Sequence, residues 1–239
     1  MSANTNHIEN AIKEKNISFY NAIADGYDTV LEKQQFNKIV RRIVEGKFLE
    51  VVKNGNVLDF GGGTGLDLHW LTDNNYKVFF CEPSTGMRKN AVAYKETSLK
   101  DKDIIFLNNN ATDYTTWKDA PPVAEKIDAV LSNFAVINCI PDINSLFENL
   151  ALVMNQGGNM IALVLDGRNK LYRSGLRKNI RSFILQQPIT MFVKDKDKEQ
   201  TVFVYSLKKI KKAADPYFEF CSSERLAEYG FCLIHLIKR

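Results

Sequence analysis

Residues 57–65 read VLDFGGGTG, an apolar run that ends in an acid and then places four glycines in five positions. Glycine loses more conformational freedom on folding than any other residue, so such a run is costly unless the chain must bend sharply or something must lie against bare backbone. Val57 to Phe60 has the character of a short buried strand, and Leu66, Trp70 and Leu71 fall on one face of a helix over 66–74. The glycines therefore join a strand to a helix. The same alternation continues downstream. KVFFC (77–81) reads as a second strand, 86–96 as a helix, 104–107 as a third strand and 127–132 as a fourth. A helix over 142–154 carries Ile143, Leu146, Phe147, Leu150 and Met154, and Gly157-Gly158 turns the chain into a strand over 159–165. Upstream, Ile39, Ile43, Val44, Phe48, Val51 and Val52 give an amphipathic helix that stops at Asn54-Gly55. Single apolar strands alternating with helices predict an α/β fold, a doubly wound parallel sheet covered on both faces.

The last third changes character. Residues 168–181 (RNKLYRSGLRKNIR) hold six basic residues and no acid on a predicted helix, and ITMFVKDKDKEQTVFVYS (189–206) reads as a hairpin. The helical segment LKKIKKAADP and two short strands, FEFCSS and CLIHLIKR, close the chain, so seven core strands are available beside the hairpin.

Composition narrows the function classes. Of 239 residues 45% are hydrophobic, enough for a substantial core, and the net charge of +4 is too mild to announce a nucleic-acid or membrane partner. Cys81, Cys139, Cys221 and Cys232 form no CxxC pair and no metal-ligand spacing with a histidine, so reduced thiols in a cytoplasmic protein, with no metal, are expected. The polar start, MSANTNHIENAIKEKN, has no apolar signal core, and no apolar run approaches the roughly 18 residues of a membrane span.

A glycine turn at the carboxyl edge of a parallel sheet is where such folds bind ligands. A dinucleotide fingerprint needs a third glycine where Leu66 and Asp67 stand, and no Lys-hydroxyl pair follows the glycines as a phosphate cradle requires. What remains is acid-x-Gly-x-Gly-x-Gly, with Asp59, Gly61, Gly63 and Gly65, and a second acid, Glu82, ending the next strand. An acid there can accept hydrogen bonds from both hydroxyls of a ribose. This arrangement resembles the S-adenosylmethionine site of the class I (Rossmann-like) methyltransferases of small-molecule type, and the likeness runs over about 17–166.

That resemblance implies a sheet of order 3-2-1-4-5-7-6 with the last strand antiparallel, and it assigns roles by position. Tyr20 and Tyr27 in FYNAIADGYD would cover the cofactor as a lid, although both also suit a helix core. Asp59 and the turn of Gly61, Gly62, Gly63 and Gly65 would meet its amino-acid and ribose parts. Glu82 and Pro83 would hold the ribose and Met87 the adenine. Asn110 and Ala111 stand where the family has an acid and a small residue, so either Asn110 or Asp113 takes the adenine contact. Asn133 and Phe134 would flank the sulfonium.

Asn138, Arg168 and Tyr172 are the candidate substrate contacts, and the acceptor is expected to be a small molecule, with an anionic one suited to the basic 168–181 segment. That segment also reads as a solvated helix face. His7, His69 and His235 are each placed as surface or core residues, so no catalytic base is nominated. Two rivals stand beside this reading: an RNA- or DNA-modifying methyltransferase using Arg173 and Arg177, and a catalytically silent protein that binds the methyl donor. Against the first, the loop after the fourth strand is Ser132-Asn133-Phe134-Ala135 and carries no Pro-Pro-aromatic signature. The expected organisation is a helical lid (1–35), a cofactor-binding core (36–166), a basic helix and hairpin covering the substrate (167–205), and a closing helix with edge strands (206–239).

Overall fold

The computed structural model describes residues 3–169, 188–195 and 197–239. Helices α1 (Ala3–Ile23), α2 (Tyr27–Glu32) and α3 (Gln35–Val51) precede β1 (Asn56–Phe60). Then follow α4 (Leu68–Asp73), β2 (Lys77–Cys81), α5 (Thr85–Ser98), β3 (Ile104–Phe106), β4 (Ile127–Ser132), α6 (Ile143–Val153) and β5 (Met154–Leu165). The described remainder is β6 (Ile189–Asp195), β7 (Lys198–Val204), α7 (Leu207–Ala214), β8 (Phe218–Leu226) and β9 (Phe231–Lys238).

Seven strands form one sheet of order β3-β2-β1-β4-β5-β9-β8, while β6 and β7 pair apart from it. With the hairpin set aside, β8 and β9 are the sixth and seventh core strands, so the order is the expected 3-2-1-4-5-7-6. The last strand, β9, runs antiparallel to both β5 and β8, and the β1, β2, β3, β4 and β5 pairings are parallel. Successive residues of β1 serve opposite faces. Val57 joins Val40, Val44, Phe48, Trp70 and Ala91 from α3, α4 and α5, whereas Leu58 and Phe60 join Leu146, Phe147, Leu150 and Ile210 from α6 and α7. This two-sided burial is why the central strands are nearly continuous apolar runs.

Boundaries moved where caps and pairing outrank periodicity. Asp142 caps α6, accepting from Asn144 N at 3.0 Å and Ser145 N at 3.4 Å, so the helix begins at Ile143. Strand β5 already starts at Met154, paired with Ile127, and carries the Gly157-Gly158 step inside it, with a register shift in β4 opposite. Strand β8 runs on to Leu226 because β9 continues to offer it partners. All four cysteines are free. Among the described residues, no helix is long and apolar enough to cross a membrane. The predicted basic helix falls almost wholly outside the described residues.

The hairpin is tied down from two sides. Asn16 of α1 donates from Nδ2 to Thr201 O (2.9 Å) and accepts from Thr201 N (2.7 Å), copying a strand partner with its side chain. Asn138, after β4, donates to Phe203 O (2.7 Å) and accepts from Leu165 N (2.9 Å). Helix α1 and β7 thus form one cover on the carboxyl ends of the strands.

Candidate active site

Beneath that cover lies a cavity of about 1370 Å³, open solvent included, at the carboxyl ends of β1, β2 and β4. Its floor is the glycine turn. Gly63 has φ +60, a conformation that side chains rarely adopt, and a Cβ built there would meet nothing within 4 Å. The space above its backbone is open to a ligand. Gly62 is bare for another reason: its Cβ would lie 2.2 Å from the Phe80 ring and 2.6 Å from Asp59 Oδ2, inside the protein. Gly65 faces inward too, against Leu68 and Ala91.

Glu82, at the end of β2, is locked to this turn. Its Oε2 accepts from Gly63 N at 2.9 Å and its Oε1 from Ser84 N at 2.7 Å. Burial pushes its carboxyl up to about 7, against the pull of those two backbone N–H groups and of Arg88. Glu82 is therefore no solvated strand end. Asp59 is 1% exposed and stands behind the turn, with Oδ2 lacking a hydrogen-bond partner. Burial first, then the neighbouring Asp67, raises its carboxyl well above the usual range despite Arg41.

A polar network that local sequence does not announce closes one wall. Arg41 of α3 pairs with Asp67 Oδ2 at 2.7 Å, Asn133 Nδ2 donates to the same oxygen at 3.0 Å, and Trp70 Nε1 donates to Oδ1 at 3.1 Å. Burial alone would raise the Asp67 carboxyl, but Arg41 and these hydrogen bonds hold it below its usual value. Arg41 also lies over the Phe134 ring, 4.5 Å from its centroid. Phe134 and Ala135 adopt φ of +48 and +65, a strained turn of the kind that concentrates at functional sites.

Tyr20 and Tyr27 both face the cavity, their rings edge-on with centroids 6.4 Å apart, and the Tyr20 hydroxyl lies 3.8 Å from Cys139 Sγ. The end of α1 is pinned here: Asn21 Oδ1 accepts from Ser84 Oγ (2.8 Å), Thr85 Oγ1 (3.2 Å) and Gly86 N (2.9 Å).

Of the residues expected at the site, Tyr20, Tyr27, Gly61, Gly62, Gly63, Glu82, Pro83, Met87, Asn133 and Phe134 line this one cavity. Asn110 and Ala111 do not; Thr112 and Asp113, the next two residues, do. Asp113 is already engaged by Lys13 and by Thr115. Asn138 is wholly buried, its amide spent on the hairpin and β5, so it offers nothing to a substrate in this arrangement. Arg168 is exposed and off the cavity, its backbone N donating to Asp166, and Tyr172 lies outside the described residues. Arg41, Asp67, Lys13 and Glu9, none of them anticipated, also line it.

Residues 31–215 match the family model described as a methyltransferase domain. The chain belongs to the methyltransferase domain family. A curated relative, an uncharacterized methyltransferase of Bacillus velezensis, is 32% identical over 116 residues, which cover 48% of this chain and only 42% of that protein. Among solved structures, the complex of DhpI with SAM and HEP superposes with a TM-score of 0.69 over 94% of this chain and 97% of that one, at 16% identity. A S-adenosylmethionine-dependent methyltransferase from Clostridium acetobutylicum superposes at 0.62 over 92% and 98%, at 15% identity. These similarities are of fold, and the fold places the family's sheet under the cavity described above.

Proposed function

We propose that the chain transfers a methyl group from S-adenosylmethionine to a small-molecule acceptor in the cytoplasm. The observation that carries this reading is the Gly63–Glu82 pair: a buried carboxylate hydrogen-bonded to the turn, beside a glycine whose missing side chain leaves only empty space. Such a cradle fits a ribose with two hydroxyls to donate and an amino-acid tail lying on bare backbone.

In this reading Glu82 orients the ribose, Met87 and Pro83 hold the base, and Thr112 and Asp113 take the edge position in place of Asn110 and Ala111. Arg41 offers its guanidinium to the tail's carboxylate. Bound there, S-adenosylmethionine supplies an electrophilic methyl group on a sulfonium. The chain's own work is alignment and exclusion of water. Tyr20, Cys139, Asn133 and Phe134 form the wall at which an acceptor would approach in line. A base at the acceptor is required only if the attacking atom holds a proton at neutral pH. The described parts of 1–35 and 167–205 serve as cover, 36–166 as the cofactor-binding core and 206–239 as its closing edge, a division supported by the Asn16–Thr201 bonds that join lid to hairpin and by the Asn138–Phe203 bond that ties the hairpin to the core.

Calorimetric titration with S-adenosylmethionine and S-adenosylhomocysteine, with NAD as control, tests the reading. Micromolar binding of the first two and not of NAD is expected. Binding of NAD alone, or of none, would overturn it.

A further inference from the structure

The cofactor reading leaves part of the cavity unexplained. Helix α1 crosses it with Glu9, Lys13, Asn16, Ile17 and Tyr20 facing inward, the spacing of a single helical stripe. Tyr20 and the pinned Asn21 stand at the glycine-turn end. Glu9 is eleven residues before Tyr20, about 16 Å away at 1.5 Å per residue. There the stripe meets the start of α6.

At that end the charge of the described residues is unbalanced. Asp142 lines the cavity and is 7% exposed; its Oδ1 caps α6, but its buried Oδ2 has no hydrogen-bond partner. Glu9 faces the same space, and its carboxyl is raised by burial and then by the charge of Asp142. Among the described residues two cations line the cavity, and both are paired with other carboxylates, Lys13 with Asp113 and Arg41 with Asp67. Among the described residues, neither Glu9 nor Asp142 takes part in an ion pair. A buried carboxylate oxygen without a partner is costly, and a cationic donor would relieve it. Tyr114, largely buried, also lines the cavity.

We infer that the acceptor is a small molecule carrying an ammonium group, which Glu9 and Asp142 bind at the end of the cavity remote from the glycine turn. The inference rests on the methyltransferase reading for the identity of the occupant as acceptor, and it reverses the anionic acceptor suggested by the basic 168–181 segment. The ammonium is an anchor that sets the acceptor's orientation; the methylated atom is whichever nucleophile that anchor leaves beside Tyr20 and Cys139.

The test uses the full chain saturated with S-adenosylhomocysteine and three probes of matched shape: phenethylamine, phenylacetate and 2-phenylethanol. The amine should bind about tenfold or more tightly than the acid or the alcohol. In the double variant Glu9→Gln/Asp142→Asn that preference should vanish while the affinity for S-adenosylhomocysteine stays unchanged, because asparagine caps a helix as well as aspartate does. Equal binding of the three probes, tighter binding of phenylacetate, binding of none at millimolar concentration, or a preference that survives the double substitution would each overturn the inference. Failure to bind S-adenosylhomocysteine would instead overturn the cofactor reading. The probe series, repeated on the free protein, would then decide the ammonium site independently.

Discussion

Replacing Glu82 with glutamine tests the centre of the site, because the pH dependence expected of the natural residue has a definite sign. Burial carries its carboxyl from the ordinary 4.5 to about 7. At about 1.4 kcal/mol per decade, ionising it inside the free protein costs about 3 kcal/mol. The folded-state value lies above the unfolded one, so the free protein loses this stability as pH rises from about 4.5 to 7. Binding runs the other way. Only the carboxylate can accept from both ribose hydroxyls, so affinity for S-adenosylhomocysteine should fall about tenfold between pH 8 and pH 6, as protonation removes the competent form. In Glu82→Gln one of the two N–H groups, of Gly63 or Ser84, faces an amide NH2 instead of an acceptor, which costs about 1–3 kcal/mol of stability. Affinity should drop by about 1.5–3 kcal/mol, and the slope with pH should disappear. Calorimetric titration of both proteins across that range reads all three effects. A natural protein whose affinity is the same at both pH values, or a glutamine variant that keeps the slope, would refute the assignment of Glu82 to the ligand.

The two neighbouring glycines should separate ligand space from packing. Gly63→Ala costs about 1–2 kcal/mol for its left-handed backbone and should abolish S-adenosylhomocysteine binding, whereas Gly62→Ala, driven into Phe80 and Asp59, should lower the melting temperature by overpacking worth about 1–3 kcal/mol. Asn138→Ala leaves Phe203 O and Leu165 N unpartnered, so denaturant unfolding should show a loss of about 3 kcal/mol and hydrogen exchange should quicken in β7. Arg41→Met removes the partner of the buried Asp67 and should destabilise by about 3 kcal/mol near pH 7. Asp67 has a depressed folded-state value in the natural protein, so its stabilisation is fully present above the ordinary carboxylate value and is lost as pH falls below it; the gap between the two proteins should therefore narrow below about pH 4.

Much of the architecture is written locally. A parallel strand covered on both faces must be apolar at nearly every position, so VLDF, KVFFC and the strand after Gly157-Gly158 announce themselves, and a strand followed by bare glycines marks the carboxyl edge where a ligand sits. The sheet order then follows from chain connectivity within the family, and Glu82 is found by its place at the end of the second strand. Those signals span only a few residues each.

What the tertiary structure alone decided is where each polar side chain finds its partners. Asn133 and Asn138 are the same residue type five positions apart in one loop, yet Asn133 reaches Asp67 on the cavity wall while Asn138 is consumed by Phe203 and Leu165. Arg41 and Asp67 are 26 residues apart, and Asn16 finds Thr201 across 185. Asp142 reads in the sequence as the first residue of a helix, and its place in the cavity depends on α1, which brings Glu9 to the same lining. Backbone periodicity is a property of neighbours along the chain, whereas the satisfaction of a buried polar atom depends on which distant element arrives to meet it. The glycine turn could therefore be read from the sequence, and the charge at the far end of the cavity could not.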